Sequence, residues 1–156
     1  MNKKQIGKKT YIISDDVKSI SNKVIDENVN ELYIDDTKIE YIAVYPNITN
    51  TIVGRCIKAN NELKYFSDAD YIIEVSGDLW DNLDELTKYI LLLHELKHIY
   101  VTQDKKGNTV YKLADYDVKD FYSIIKKYGI DWYTKLKTLT AGVYNLSPEA
   151  EDNIRL

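Results

Sequence analysis

Apolar positions along this chain change period from one stretch to the next, and the periods sort it into elements. Val17, Ile20, Val24, Ile25, Val29 and Leu32 recur at three- and four-residue spacing, which predicts one stripe of an amphipathic helix over residues 15–33. Ser14 suits its N-cap, and Asp15 and Asp16 suit its first turn. A short strand is expected just before it at Tyr11-Ile12-Ile13. Three strand-like runs follow: residues 38–45, stopped by Pro46-Asn47; residues 51–58, with Gly54 as a bulge; and residues 71–75, closed by Ser76-Gly77. Glu62 to Phe66 reads as an extension of the second arm. Short connections between these runs favour a mostly antiparallel sheet.

The strongest helical signal runs from Asn82 to about Val101. Asn82 and Glu85 have capping-box spacing. Leu83, Leu86, Ile90, Leu93 and Ile99 supply core positions, and Leu91, Leu92 and Leu96 widen the apolar surface nearly all round. A helix apolar on every side belongs in the centre of a domain. Beyond it, residues 103–108 read as a surface turn and residues 110–113 as a short extended piece. Asp115 or Asp117 then caps a helix with Val118, Phe121, Tyr122 and Ile125 on its apolar face and Gly129 at C′. Trp132 to Leu139 reads as a further helix or a covering segment. The order predicts an α+β fold with a small mixed or antiparallel sheet of three to four strands, a buried helix and flanking helices. One domain is expected over residues 1–156, with flexible ends at about 1–10 and 147–156.

Composition narrows the partners more than the fold. Of 156 residues, 44% are apolar and 29% charged, which are globular values. With 25 acidic against 21 basic residues the net charge is −4, so no basic stripe points to nucleic acid. The lysines at positions 3, 4, 8 and 9 read as a solvated terminus rather than a binding arm. Cys56 is the one cysteine, which rules out an intrachain disulfide and fits a reducing compartment. No apolar segment follows the basic start as a signal peptide would require, and no run reaches transmembrane length. A soluble, cytoplasmic protein is expected.

Candidate chemistry concentrates in His94-Glu95-Leu96-Lys97-His98. These are the two histidines of the chain, placed i, i+4 on the predicted helix, so both rings leave one face. In the HExxH arrangement two imidazoles hold zinc and the glutamate stays outside the ligand set as general base. Glu95 would take a proton from a zinc-activated water and pass it to a leaving amine. A catalytic zinc site needs a third protein ligand. With no third histidine, it must be Asp, Glu, Tyr or Cys56. The candidates are Asp115, Asp117 and Asp120, with Tyr116 and Asp120 sharing a helix face at i, i+4 spacing. Asp115 and Asp117 read first as caps, and Cys56 first as core packing.

These residues resemble the phage-encoded metallopeptidase family, small zincin-like proteins of phages and mobile elements. The resemblance spans roughly residues 38–133. It runs through Ile39-Glu40-Tyr41-Ile42-Ala43-Val44, a strand containing Arg55, Asp70-Tyr71-Ile72-Ile73-Glu74-Val75, Trp80, and Leu91-Leu92-Leu93 before the histidine motif. A second block is Asp115-Tyr116-Asp117-Val118-Lys119-Asp120-Phe121 with Lys127-Tyr128-Gly129. The resemblance implies a zincin-like fold, His94 and His98 as zinc ligands and Glu95 as catalytic acid/base. It also implies an edge strand, Tyr71 to Val75, along which an extended peptide could lie, and a host bacterial cytoplasm as the setting. In the family a histidine usually precedes the Asp-Val pair as third ligand. Tyr116 occupies that place here, with Asp120 or Asp115 as compensating donors.

Two functions are then expected. The first is a zinc-dependent metallopeptidase hydrolysing a peptide or amide bond of a protein substrate. The alternative is a catalytically weak or inactive zincin-fold binding protein that inhibits a host protein complex, such as a defence system, in the manner of an anti-CRISPR inhibitor.

Overall fold

The computed structural model describes residues 3–34, 36–115 and 122–156. Five strands form a mixed sheet in the order β1-β2-β3-β5-β4, namely β1 (Lys3–Ile6), β2 (Lys9–Ile13), β3 (Ile39–Tyr45), β4 (Gly54–Lys58) and β5 (Tyr71–Ser76). The hairpin of β6 (Ile99–Gln103) and β7 (Thr109–Leu113) makes a second sheet. Among the described residues the helices are α1 (Asp15–Glu27), α2 (Asn61–Ser67), α3 (Gly77–Asp81), α4 (Glu85–Lys97), α5 (Tyr122–Tyr128), α6 (Asp131–Tyr144) and α7 (Pro148–Asp152). None of them is long and apolar enough to cross a membrane.

The α+β class agrees with the sequence, but the sheet exceeds the three to four strands expected. Residues read as a loose start form β1, antiparallel to β2 with Lys3 opposite Ile12 and Ile6 opposite Lys9. All four β1 residues are exposed, so no apolar alternation announces the strand. The sheet is also less antiparallel than expected. β3 runs parallel to β5, Ile39 opposite Tyr71 and Val44 opposite Ser76. β4 crosses to the far side of β5 and pairs antiparallel, Gly54 opposite Val75 and Lys58 opposite Tyr71. Gly54 is in register and forms no bulge. Glu62 to Phe66 is helical rather than extended, because the Asn60 side chain caps the turn by accepting from the Leu63 N–H at 2.8 Å.

Helix α1 starts as its sequence predicts, with Ser14 Oγ accepting from the Val17 N–H at 3.2 Å. It ends at Glu27, short of the expected residue 33. Asn28 closes it by donating from Nδ2 to Val24 O at 2.8 Å and from its backbone N–H to Ile25 O at 3.2 Å.

Helix α4 is the centre of the molecule. From Ile90 to Leu96 every residue is 2% exposed or less. It packs against α1 and against the sheet face that carries Tyr41, Ala43, Ile73 and Val75. Each leucine buried there contributes about 1.5–3 kcal/mol. Its cap is Asp84, which accepts from the Thr87 N–H at 2.7 Å, while Asn82 instead ends α3. It stops at Lys97 rather than near Val101, because the β-branched and aromatic run Ile99-Tyr100-Val101-Thr102 pairs with β7.

The later chain follows the sequence more closely. Gly129 adopts φ +76° after α5, its N–H donating to Ile125 O at 2.8 Å, as a C′ glycine should. Trp132 to Leu139 is helical and continues to Tyr144. After α7 the chain returns to the main sheet. The Arg155 N–H donates to Thr51 O at 2.6 Å and Arg155 O accepts from the Val53 N–H at 2.8 Å, with Ile154 buried beside them. Asp117, Val118 and Phe121, expected at the start of the helix after β7, lie outside the described residues.

Candidate metal centre

His94 and Glu95 lie on the last turn of α4, and His98 is its C-cap residue. His98 keeps helical dihedrals, φ −71° and ψ −21°, so the i, i+4 geometry survives although the helix has ended. The two Nε2 atoms are 3.3 Å apart, and the ring planes meet at 78°. His98 Nδ1 stands 2.6 Å from Ala114 O. A carbonyl oxygen only accepts, so Nδ1 carries a proton and Nε2 is the ring nitrogen that faces His94. The Ala114 N–H donates back to His98 O at 2.7 Å, which ties the chain after β7 to the end of α4.

The donor spacing tests whether a metal fits. Two imidazole nitrogens on one tetrahedral zinc, each bonded at about 2.0–2.1 Å, are separated by about 3.3–3.4 Å. The observed 3.3 Å agrees, and it is long for a hydrogen bond between two ring nitrogens. His94, Glu95 and His98 each bring one donor atom within 4.8 Å of the others. Among the described residues no other group of three histidine, cysteine or acidic side chains gathers in this way.

His94 and Glu95 are wholly buried, and His98 is partly open to solvent. The Leu91-Leu92-Leu93 run and Leu96 give α4 no solvent face at this point, and this burial carries both groups into the interior. The Glu95 carboxylate lies against β4. A Cβ placed on Gly54 would stand 3.1 Å from Glu95 Oε2 and 3.3 Å from Glu74 O. Cys56 is two residues along the same strand and therefore on the same face. Burial first, and the Glu95 charge second, push its thiol above the usual range, which does not favour a thiolate ligand. Trp132, on α6, packs its ring 6.3 Å from that of His94. Arg55 belongs to the opposite sheet face, where it pairs with Glu74 at 3.0 Å.

The structure brings His94, Glu95 and His98 together. Asp115 is exposed and does not join them. Tyr116, Asp117 and Asp120, the other third-ligand candidates, lie outside the described residues. The edge strand is corrected: β5 (Tyr71–Ser76) is interior, flanked by β3 and β4, and the outer strand nearest the site is β4. Three neighbours of the site were missed. A glycine inside a strand also signals close backbone approach, and that reading of Gly54 was available. Ala114 acts through its backbone and Trp132 through a distant helix, and neither leaves a local mark in the sequence.

A His–Glu–His group with two members buried and His98 partly open, at the end of a central helix beside the outer strand of a mixed sheet, defines a candidate metal centre in an α+β protein. Residues 9–143 match the family model described as "Putative phage metallopeptidase", and the chain belongs to that family. Comparison with curated proteins and with solved structures gave no match. Membership implies a bound metal and peptide or protein substrates, and the cluster at the end of α4 suits the first of these.

Proposed function

We propose that the protein is a zincin-like, zinc-dependent peptidase that hydrolyses a peptide or amide bond, with His94 and His98 as metal ligands and Glu95 as the proton-transfer group. The observation that carries this reading is the 3.3 Å separation of the two Nε2 atoms with the Glu95 carboxylate in the same cluster. Zinc held there would supply Lewis acidity, polarising a carbonyl and lowering the pKa of a water. Tyr116 and Asp120 remain the proposed third donors. Supporting a donor from this stretch is the anchorage of Ala114, which is tied to His98 by two hydrogen bonds shortly before Tyr116.

The chain's own groups then have distinct tasks. Glu95 accepts the proton of the water whose oxygen adds to the carbonyl carbon. It returns that proton to the amine nitrogen as the C–N bond breaks. Burial keeps its carboxylate away from competing bulk water. The outer side of β4 offers main-chain hydrogen bonds to an extended peptide, in the β-addition mode.

Elemental analysis of the purified protein, followed by digestion of a reduced, unfolded test protein, examines the proposal. Zinc near one equivalent is expected, with hydrolysis abolished by a chelator, restored by zinc and lost in Glu95→Gln. Equal hydrolysis by wild type and Glu95→Gln would remove Glu95 from its role. Absence of hydrolysis in both would sink the peptidase reading.

A further inference from the structure

Gly54 begins β4 where the strand passes the Glu95 carboxylate. Left-handed backbone does not explain a glycine there, since the glycines with positive φ are Gly7, Gly107 and Gly129. Space explains it. The hypothetical Cβ contact of 3.1 Å with Glu95 Oε2 is tighter than nearly all real Cβ contacts, so one side would have to give by a few tenths of an ångström. The strand has little room to retreat. Val53 O accepts from the Ser76 N–H at 2.9 Å, and Ile52 O accepts from Ser76 Oγ at 2.5 Å. On the other edge of the same stretch Arg155 holds Thr51 and Val53 at 2.6 and 2.8 Å. Glu95 is fixed at its root in α4 between buried His94 and Leu96, and the other close atom, Glu74 O at 3.3 Å, belongs to the β5 backbone, so the carboxylate is the part free to yield.

We infer that Gly54 is a positioning residue: its missing side chain lets the pinned start of β4 set the place of the Glu95 carboxylate beside His94 and His98. The functional side of this inference rests on Glu95 being the proton-transfer group. The steric side does not.

A thermal-unfolding cycle on the metal-free full chain reads the steric side. Gly54→Ala is expected to lower Tm by roughly 5 °C in the wild-type background. In the Glu95→Ala background the same substitution should cost less, because the nearer oxygen is gone and only the 3.3 Å approach to Glu74 O remains. Equal penalties in both backgrounds, or none in the first, overturn the inference. With the unfolded test protein as substrate, Gly54→Ala should reduce kcat by about tenfold or more at unchanged KM. Zinc content should stay at the wild-type level, because both imidazoles are untouched. Glu95→Asp, with its shorter reach, should recover part of the loss in the Gly54→Ala background. Zinc loss in Gly54→Ala, or a rise in KM without a fall in kcat, also overturns it. Should the wild type hydrolyse nothing, the proposed function fails, and the Tm cycle still decides the role of Gly54.

Discussion

Ala114 O holds His98 Nδ1 at 2.6 Å, so a backbone atom after β7 orients a side chain at the end of α4. That contact fixes which ring nitrogen is protonated and leaves Nε2 facing His94 before any ion arrives. Orientation supplied by a backbone carbonyl is a common outer-shell device in metal sites, and here it comes with the return bond from the Ala114 N–H at 2.7 Å.

A pre-aimed pair of imidazoles should make zinc a stabiliser of the fold. At free zinc 100-fold above its Kd, linkage gives about 2.7 kcal/mol, or a Tm rise of roughly 5–10 °C for a chain of this size. His94→Ala and His98→Ala should each abolish the rise. Differential scanning calorimetry with and without zinc checks this; a full rise in either variant would exclude that histidine as a ligand.

Trp132 offers an optical readout of the same event, because its ring lies 6.3 Å from that of His94. Cobalt bound at the cluster should quench tryptophan emission, and Trp132→Phe should remove most of that quenching. Titration with cobalt followed by fluorescence tests it. Undiminished quenching in the variant would place the ion elsewhere.

The cap of α4 gives a pH-dependent prediction. Asp84 accepts from the Thr87 N–H at 2.7 Å and from Lys135 Nζ at 2.9 Å, and its carboxyl is lowered to about 2 by the Thr87 hydrogen bonds and by Lys135. The folded value lies below the unfolded value of about 3.9, so the contribution is complete above that value and fades as pH falls toward 2. Asp84→Ala should cost about 1 kcal/mol near neutral pH. The gap between wild type and variant should close between about pH 4 and pH 2. Salt should weaken only the solvent-exposed Lys135 share. Urea melts across this range are the measurement, and a gap independent of pH would contradict the assignment.

Leu92, at 0% exposure, tests the core that supports the site. Leu92→Ala should destabilise by about 2–5 kcal/mol through lost transfer energy and a residual cavity. Chemical denaturation should show this as a lower midpoint at nearly constant slope. A change below 1 kcal/mol would argue against a close-packed α4.

What could be read from the sequence was local, and what could not be read depended on distant pairing. The i, i+4 histidines, the Ser14 cap, Gly129 at C′ and the all-round apolar α4 are set within a few residues of themselves, and the structure shows each of them. The stripe Val17-Ile20-Val24 predicted α1, but Val29 and Leu32 prolong its period past the closure by Asn28. Ile99-Tyr100-Val101-Thr102 fitted both a helix tail and a strand, and the presence of β7 decides between them. Lys3 to Ile6 shows no alternation, so only its partner β2 makes it a strand. At the site, Glu95 was legible and Gly54 was misread. The contact between them joins positions forty-one apart, which no local period reports.

Because α4 stops at Lys97, the imidazole pair sits at the C-terminal end of the helix, where its last carbonyls gather. That end of the aligned peptide dipoles carries a partial negative charge of about half an electron. A divalent ion arriving there enters a field already of the right sign, before any acidic ligand contributes. Prolonging the helix by even one turn would shift that field away, so for a cation held by the proposed ligands the switch from helix to strand at Ile99 would matter as much as the ligands' spacing.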